Sequence, residues 1–169
     1  MLLALSLGAC SSWGEFWNVA ATNPPSEYLF VSGSYSRHTY RYVPATNAFI
    51  AGADLTGDIG VGANAFNINS GIHAGKILII HAATTSLTSI YDPQSRLMIA
   101  GPDLGINADY YSHNFLIPTG PQAGKTMIIP GLVTSTRMYD PQTNTFVGGP
   151  VLNNAGRITL AIQIGAKWP

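Results

Sequence analysis

One peptide occurs three times in this chain at nearly constant spacing. It reads Tyr42-Val43-Pro44-Ala45-Thr46-Asn47-Ala48-Phe49, then Tyr91-Asp92-Pro93-Gln94-Ser95-Arg96-Leu97-Met98, then Tyr139-Asp140-Pro141-Gln142-Thr143-Asn144-Thr145-Phe146, with the tyrosines 49 and 48 residues apart. A repeat of about this length is one small supersecondary unit that buries its apolar faces only against its neighbours. The spacing therefore constrains architecture far more than activity.

Other landmarks keep the same register. Gly75-Lys76-Ile77-Leu78-Ile79-Ile80 returns as Gly124-Lys125-Thr126-Met127-Ile128-Ile129, and one step earlier Ser26-Glu27-Tyr28-Leu29-Phe30-Val31 has a weaker form of the pattern. Ala51-Gly52-Ala53-Asp54-Leu55 lies over Ala100-Gly101-Pro102-Asp103-Leu104 and, more loosely, over Gly148-Gly149-Pro150-Val151-Leu152. Each copy carries four apolar stretches in one order, at 113–117, 126–129, 136–139 and 145–148 in the third. Short apolar stretches bounded by turn residues read as strands of an antiparallel meander. The second stretch is almost continuously apolar, as expected of a strand covered on both faces. Between the third and fourth, proline presets φ at the second turn position, and Asp140 before it hydrogen-bonds the backbone just ahead. The fold expected is all-β, a β-propeller of about three four-stranded antiparallel blades at 13–55, 59–104 and 109–152, plus a leftover strand at 157–164.

His113, the Gly124-Lys125 turn, an apolar strand and the peptide Tyr139 to Phe146 together resemble the kelch repeat, the unit of propellers similar to the central domain of galactose oxidase. The departures are specific. The family's double glycine stands as Ser32-Gly33, His81-Ala82 and Pro130-Gly131, and its closing tryptophan as Phe49, Met98 and Phe146. The resemblance implies the fold; kelch propellers bind and catalyse too many things for it to imply an activity.

Composition narrows the partners. Charged residues make up 9% of the 169, against roughly 25% in ordinary soluble domains. Eight basic residues balance eight acidic ones, with no basic stripe for a phosphate backbone, which argues against nucleic acid. Residues 1–9 followed by Cys10 resemble a bacterial lipoprotein signal peptide, in which cleavage leaves the Cys10 thiol to receive lipid. No basic segment precedes the apolar run, so the translation start is expected upstream. The implied location is the bacterial cell envelope, periplasmic or outer-membrane side, with the membrane reached only through that anchor.

Closed propellers typically hold four to eight blades. Three leave two apolar faces open, consistent with a fragment of a longer protein, with several copies sharing one ring, or with an open wedge. The fragment is the expectation, with self-association through the open faces as its consequence. In an up-and-down meander the Gly-Lys and Tyr-x-Pro turns emerge at one end of every blade and the remaining links at the other. The first set repeats, as structural turns should. The second set, 33–38, 81–87, 130–135, 56–60, 105–109 and 153–156, varies between copies and is the expected ligand face. Its polar and aromatic members Tyr35, Arg37, His38, Asp58, His81, Asp109 and Tyr110 are the candidate binding residues.

No catalytic set is expected. The histidines 38, 73, 81 and 113 occupy different repeat positions, without the close pairing of zinc sites, so neither metal nor cofactor is expected. The copper oxidases of the kelch type need a cysteine crosslinked to a tyrosine, and the chain's one cysteine is Cys10. Asp54 and Asp103 share a register position that Val151 fills in the third copy, which favours turn capping over a paired-carboxylate site. The functional expectation is a binding or scaffold module of the cell envelope taking a protein or a carbohydrate. The alternative is a carbohydrate-active kelch enzyme similar to the sugar epimerases, or a piece of one.

Overall fold

The apolar stretches of each repeat fold into strands joined by short turns, one sheet per repeat. The structure, a computed structural model, describes residues 27–31, 35–82, 85–108, 112–131 and 133–153. The first sheet holds β1 (Tyr28–Val31), β2 (Thr39–Val43) and β3 (Ala48–Ala51). The second runs β4 (Asn64–Asn67), β5 (Ile77–Ile80), β6 (Thr88–Asp92) and β7 (Leu97–Ala100). The third runs β8 (His113–Leu116), β9 (Thr126–Ile129), β10 (Ser135–Asp140) and β11 (Thr145–Val151). All pairs are antiparallel neighbours in sequence, and no helix occurs among the described residues. The sheets do not close into a ring.

The first sheet has three described strands because its expected opening strand falls before residue 27, outside the described residues, as does the strand expected at 157–164. β11 runs three residues beyond its expected end. Pairing with β10 shifts register between Ser135 and Arg137, opposite Gly149 and Pro150. A proline has no N–H for the ladder, and a bulge accommodates it there.

Directly paired residues share a face, so the registers show which face of each sheet meets its neighbour. In the middle sheet, Phe66, Leu78, Ile90 and Ile99 form one row across the four strands. Phe66, Leu78 and Ile90 join Ile80, Leu104, Ile128 and Tyr139 in a core shared with the third sheet. On the opposite face, Ile79 and Tyr91 pack with Leu29, Val31 and Leu55 of the first repeat and with Ile59, just after it. β5 is thus covered from both sides, which is why its sequence shows no alternation. Tyr139 meets Phe66 edge-on at 5.6 Å between ring centroids. Inner strands are also stitched directly: Asn64 Nδ2 donates to the Ser112 carbonyl at 3.0 Å, and Asn114 Nδ2 to the Ala65 carbonyl at 3.3 Å.

The hairpin turns repeat in detail. Residues 44–47, 93–96 and 141–144 end on Asn47, Arg96 and Asn144, with φ of 49°, 60° and 53°. Asparagine tolerates this left-handed conformation better than most residues. Its side chain also accepts the tyrosine hydroxyl at 2.9 Å, from Tyr42 to Asn47 and from Tyr139 to Asn144. Burial and the Asp140 charge push the Tyr139 phenol up to about 12, as expected of a hydroxyl kept neutral inside.

A second device recurs where β2, β6 and β10 begin. Thr39, Thr88 and Thr136 are buried, and each Oγ1 donates to a main-chain carbonyl, of Ala53 at 2.8 Å, Pro102 at 2.6 Å and Pro150 at 2.6 Å. Gly52, Gly101 and Gly149 lie against these hydroxyls so closely that an added Cβ would sit 2.2 Å from Oγ1 in all three. Glycine is required here for space. Gly101→Ala is expected to destabilise the protein by about 1–3 kcal/mol in urea unfolding, the ordinary cost of overpacking. Thr88→Ala removes the obstructing hydroxyl, so G101A combined with T88A should cost less than the sum of the two; strict additivity would mean the threonine is not the obstacle.

Candidate functional site

The two ends of the sheets differ in chemistry. At the end of the repeated turns, Asp92 Oδ1 accepts the main-chain N–H of Gln94 at 2.9 Å and of Ser95 at 3.3 Å, and Asp140 Oδ1 accepts that of Gln142 at 3.0 Å. These donors hold both carboxyls below the usual aspartate range, helped by the lysine of each Gly-Lys turn. Lys76 Nζ lies 3.5 Å from Asp92 and Lys125 Nζ 3.1 Å from Asp140. This end is spent on holding turns.

At the opposite end the same scaffold carries different side chains in each repeat. In the first, Tyr35 is 67% exposed with φ of 55°. A bulky residue in the left-handed region is held there by its surroundings. Here Tyr35 N donates to the Ile59 carbonyl at 2.9 Å and Ile59 N to the Ser36 carbonyl at 3.1 Å, fixing the loop to the following repeat. Arg37 and His38 follow, both exposed and both on Asp54, with Arg37 Nε 3.7 Å from Oδ2 and His38 Nδ1 2.9 Å from Oδ1. Tyr35, Arg37 and His38 thus share one loop, and Asp54, read from sequence as a turn cap, joins the charged cluster. Its counterpart Asp103 is a cap: Oδ1 accepts Gly105 N at 2.6 Å while Oδ2 accepts the Ser86 hydroxyl at 3.0 Å.

The other candidates separate. Asp58 is exposed on the link after the first sheet. Asp109 and Tyr110 lie outside the described residues, as does Cys10. His81, expected as an accessible loop residue, is 0% exposed and belongs to the interior. Gly57 makes this placement fit, since a Cβ there would come within 3.4 Å of His81 Nδ1 and 2.9 Å of Leu87 Cδ1. The space is left by a residue of the link before the second sheet, distant in sequence from the His81 loop. Next to His81, Ala82 has φ of 51°, a backbone conformation that glycine adopts freely.

His81 Nε2 lies 2.8 Å from Ser89 Oγ, which is 2.8 Å from Thr56 Oγ1 and accepts Thr56 N at 3.2 Å. Nδ1 has no hydrogen-bond partner. An unpaired lone pair costs less than an unpaired N–H, which favours the proton on Nε2, donated to Ser89. Ser89 then donates to Thr56, tying the link between the first two sheets to β6. At the position equivalent to Ser89, Arg137 does the same for the next pair, with Nε donating to the Leu104 carbonyl at 3.0 Å and Nη2 to that of Gly105 at 3.1 Å. These clasps were missed in the sequence. Their signal is a polar residue at position 89 and again at 137, each directly after the repeated threonine.

Burial pushes the His81 imidazole below the ordinary histidine range, with the Asp58 main chain and carboxylate opposing. The unfolded chain therefore binds the proton more readily. Stability from this group is full above about pH 6.5 and is lost as pH falls from there toward the lower folded value. His73, held low by burial and by Lys76, acts in the same direction. The urea midpoint is expected to drop between pH 7 and pH 5, ahead of the acid unfolding that titrates Asp92 and Asp140. His81→Gln and His73→Gln should each flatten this drop. An unchanged pH slope in both variants would rule out the buried imidazoles as its source.

Compared with protein-family models and with curated protein sequences, the chain matches none.

Proposed function

We propose that the chain is a kelch-type propeller segment serving as a binding or scaffold module of the bacterial cell envelope, with a protein or glycan ligand taken by the variable loop end. The observation that carries this reading is the contrast between a repeated frame and the unlike loops it holds. Thr39, Thr88 and Thr136 repeat one lock across three sheets, while the loops just before them read Tyr35-Ser36-Arg37-His38 in one copy and Thr85-Ser86-Leu87 in the next. A constant frame with changing loops is how repeat scaffolds present ligand-binding residues. Tyr35 supplies an exposed ring on a loop fixed by main-chain bonds, and Arg37 with His38 supplies donors beside it. An exposed aromatic on an ordered loop that also carries a guanidinium suits stacking on a sugar ring or a peptide group at low entropic cost.

Calorimetric titration with cell-wall glycan fragments and with extracted envelope proteins tests this. Tyr35→Ala, Arg37→Ala and His38→Ala are each expected to weaken binding about tenfold, the effect of about 1.4 kcal/mol, without moving the thermal midpoint. Equal binding by all three variants would refute the loop assignment, and turnover of a sugar by the wild type would establish the enzymatic alternative. For the anchor, Cys10→Ser is expected to release the protein from the membrane fraction and abolish fatty-acid labelling. A wild-type chain without lipid would remove the lipoprotein reading and leave the loop reading standing.

A further inference from the structure

The Tyr35 loop stands on the link that joins the first two sheets. Tyr35 N donates to the Ile59 carbonyl at 2.9 Å, Ile59 N to the Ser36 carbonyl at 3.1 Å and Leu55 N to the Arg37 carbonyl at 2.8 Å. Residues 55 and 59 of the link are thus both tied to the loop that carries Arg37 and His38. The other side of the link is held by His81 and its partners. Gly60 N donates to the His81 carbonyl at 2.9 Å, and Thr56 bonds Ser89 Oγ through N at 3.2 Å and through Oγ1 at 2.8 Å. Ser89 Oγ in turn lies 2.8 Å from His81 Nε2, and both residues are 0% exposed.

The next joint has the same plan and a different clasp. Leu104 N donates to the Ser86 carbonyl and Ala108 N to that of Thr85, both at 2.9 Å, as Leu55 and Ile59 do one repeat earlier. Its link is held by Arg137, with Nε on the Leu104 carbonyl and Nη2 on that of Gly105. A guanidinium keeps its charge across the physiological range, whereas an imidazole titrates within it. Of two like joints, only the first is closed by a group that can change its charge.

The surroundings of His81 decide what a proton does there. With one proton on Nε2, donated to Ser89, Nδ1 is a buried acceptor with no hydrogen-bond partner among the described residues. A second proton makes Nδ1 a buried donor and the ring a buried cation. Such a charge is costly enough that the group either stays neutral or moves out to water. The link presents the Asp58 main chain and carboxylate, which favour the cation less than burial opposes it. β6 and the loop before it present residues 85–89, none of which titrates.

We propose that His81 is a pH-sensitive latch beneath the Tyr35 loop. Its protonation draws the imidazole out of the interior, frees the Thr56–Gly60 link from β6, and so releases the main-chain bonds that hold Tyr35, Ser36 and Arg37, while the Arg137 joint stays closed. The consequence for binding rests on the role proposed for the loop: ligand held at neutral pH is let go in acid.

Amide hydrogen exchange of the purified full chain without ligand, resolved by residue and corrected for the intrinsic pH dependence of exchange, tests the latch. Between pH 7.5 and pH 5.5 the amides of Tyr35, Leu55, Ile59 and Gly60 are expected to lose protection severalfold. The ceiling is the factor of about ten that one pH unit below the ordinary imidazole value allows. Leu104 and Ala108 are the internal control and should keep their protection. His81→Gln carries a donor for Ser89 without titrating and should abolish the loss, and Ser89→Ala should expose the same four amides already at pH 7.5. Should His81→Gln fail to fold, the titration midpoint of the His81 ring resonances in the wild type takes its place, since it must coincide with the loss. Unchanged protection at the four amides, an equal fall at Leu104 and Ala108, a fall that persists in His81→Gln, or a midpoint apart from the loss would each overturn the latch. These measurements use no ligand, so the latch and the binding role of the loop fail independently.

Discussion

Burial of β5 from both sides is the constraint on which the rest of the architecture depends. Leu78 and Ile80 face the third sheet and Ile79 faces the first, and all three are at most 2% exposed. A four-stranded sheet standing alone leaves such a strand wet on one face, at roughly 1.5–3 kcal/mol for each large side chain left outside. Neither neighbouring sheet has an independent core of this quality among the described residues. The repeats are cooperative for this reason, and the clasps from Ser89 and Arg137 to the preceding link work on joints that apolar contact has already closed. Directional hydrogen bonds add register to an interface whose energy comes chiefly from area.

The all-β class, the sheet order and most strand positions were legible because the repeat averages out local ambiguity. A single run such as Gly124 to Ile129 fits several structures; the same run at a nearly constant distance from Tyr-Asp-Pro in successive copies does not. The Thr–Gly lock was written in the sequence at the same spacing, yet threonine carries no conspicuous signal unless its glycine partner is known to lie against it. The loop end was legible only in part. Tyr35, Arg37 and His38 were identifiable as polar members of a variable link, and their loop is where the structure has it. His81 was identifiable in the same way, but its burial was not, because that depends on Gly57 in the preceding link and on Ser89 across a hairpin. Whether a loop side chain turns out or in is settled by the space that distant residues leave, and no periodicity encodes that.

Glu27 shows what a departure from the repeat brings with it. Where later copies have Lys76 and Lys125, the first has Glu27, and where they have Asp92 and Asp140 it has Val43, so the lysine–aspartate pair inside the sheet is gone. The Arg41 guanidinium takes one oxygen of Glu27 at 2.6 Å and Arg96, from the turn of the next sheet, takes the other at 2.7 Å. Arg96 stands where the first and third turns have asparagine. Three unlike positions thus form a single exchange, in which an ion pair within a sheet has become one that bridges two sheets. The first joint is consequently held in part by half-buried charge and the second by contacts among apolar and neutral groups together with Arg137. Ionic strength discriminates between them: added salt screens the Glu27 bridge while strengthening apolar contact. The stack is a chain of hinges with unequal sensitivities, and the solvent can choose which one loosens first.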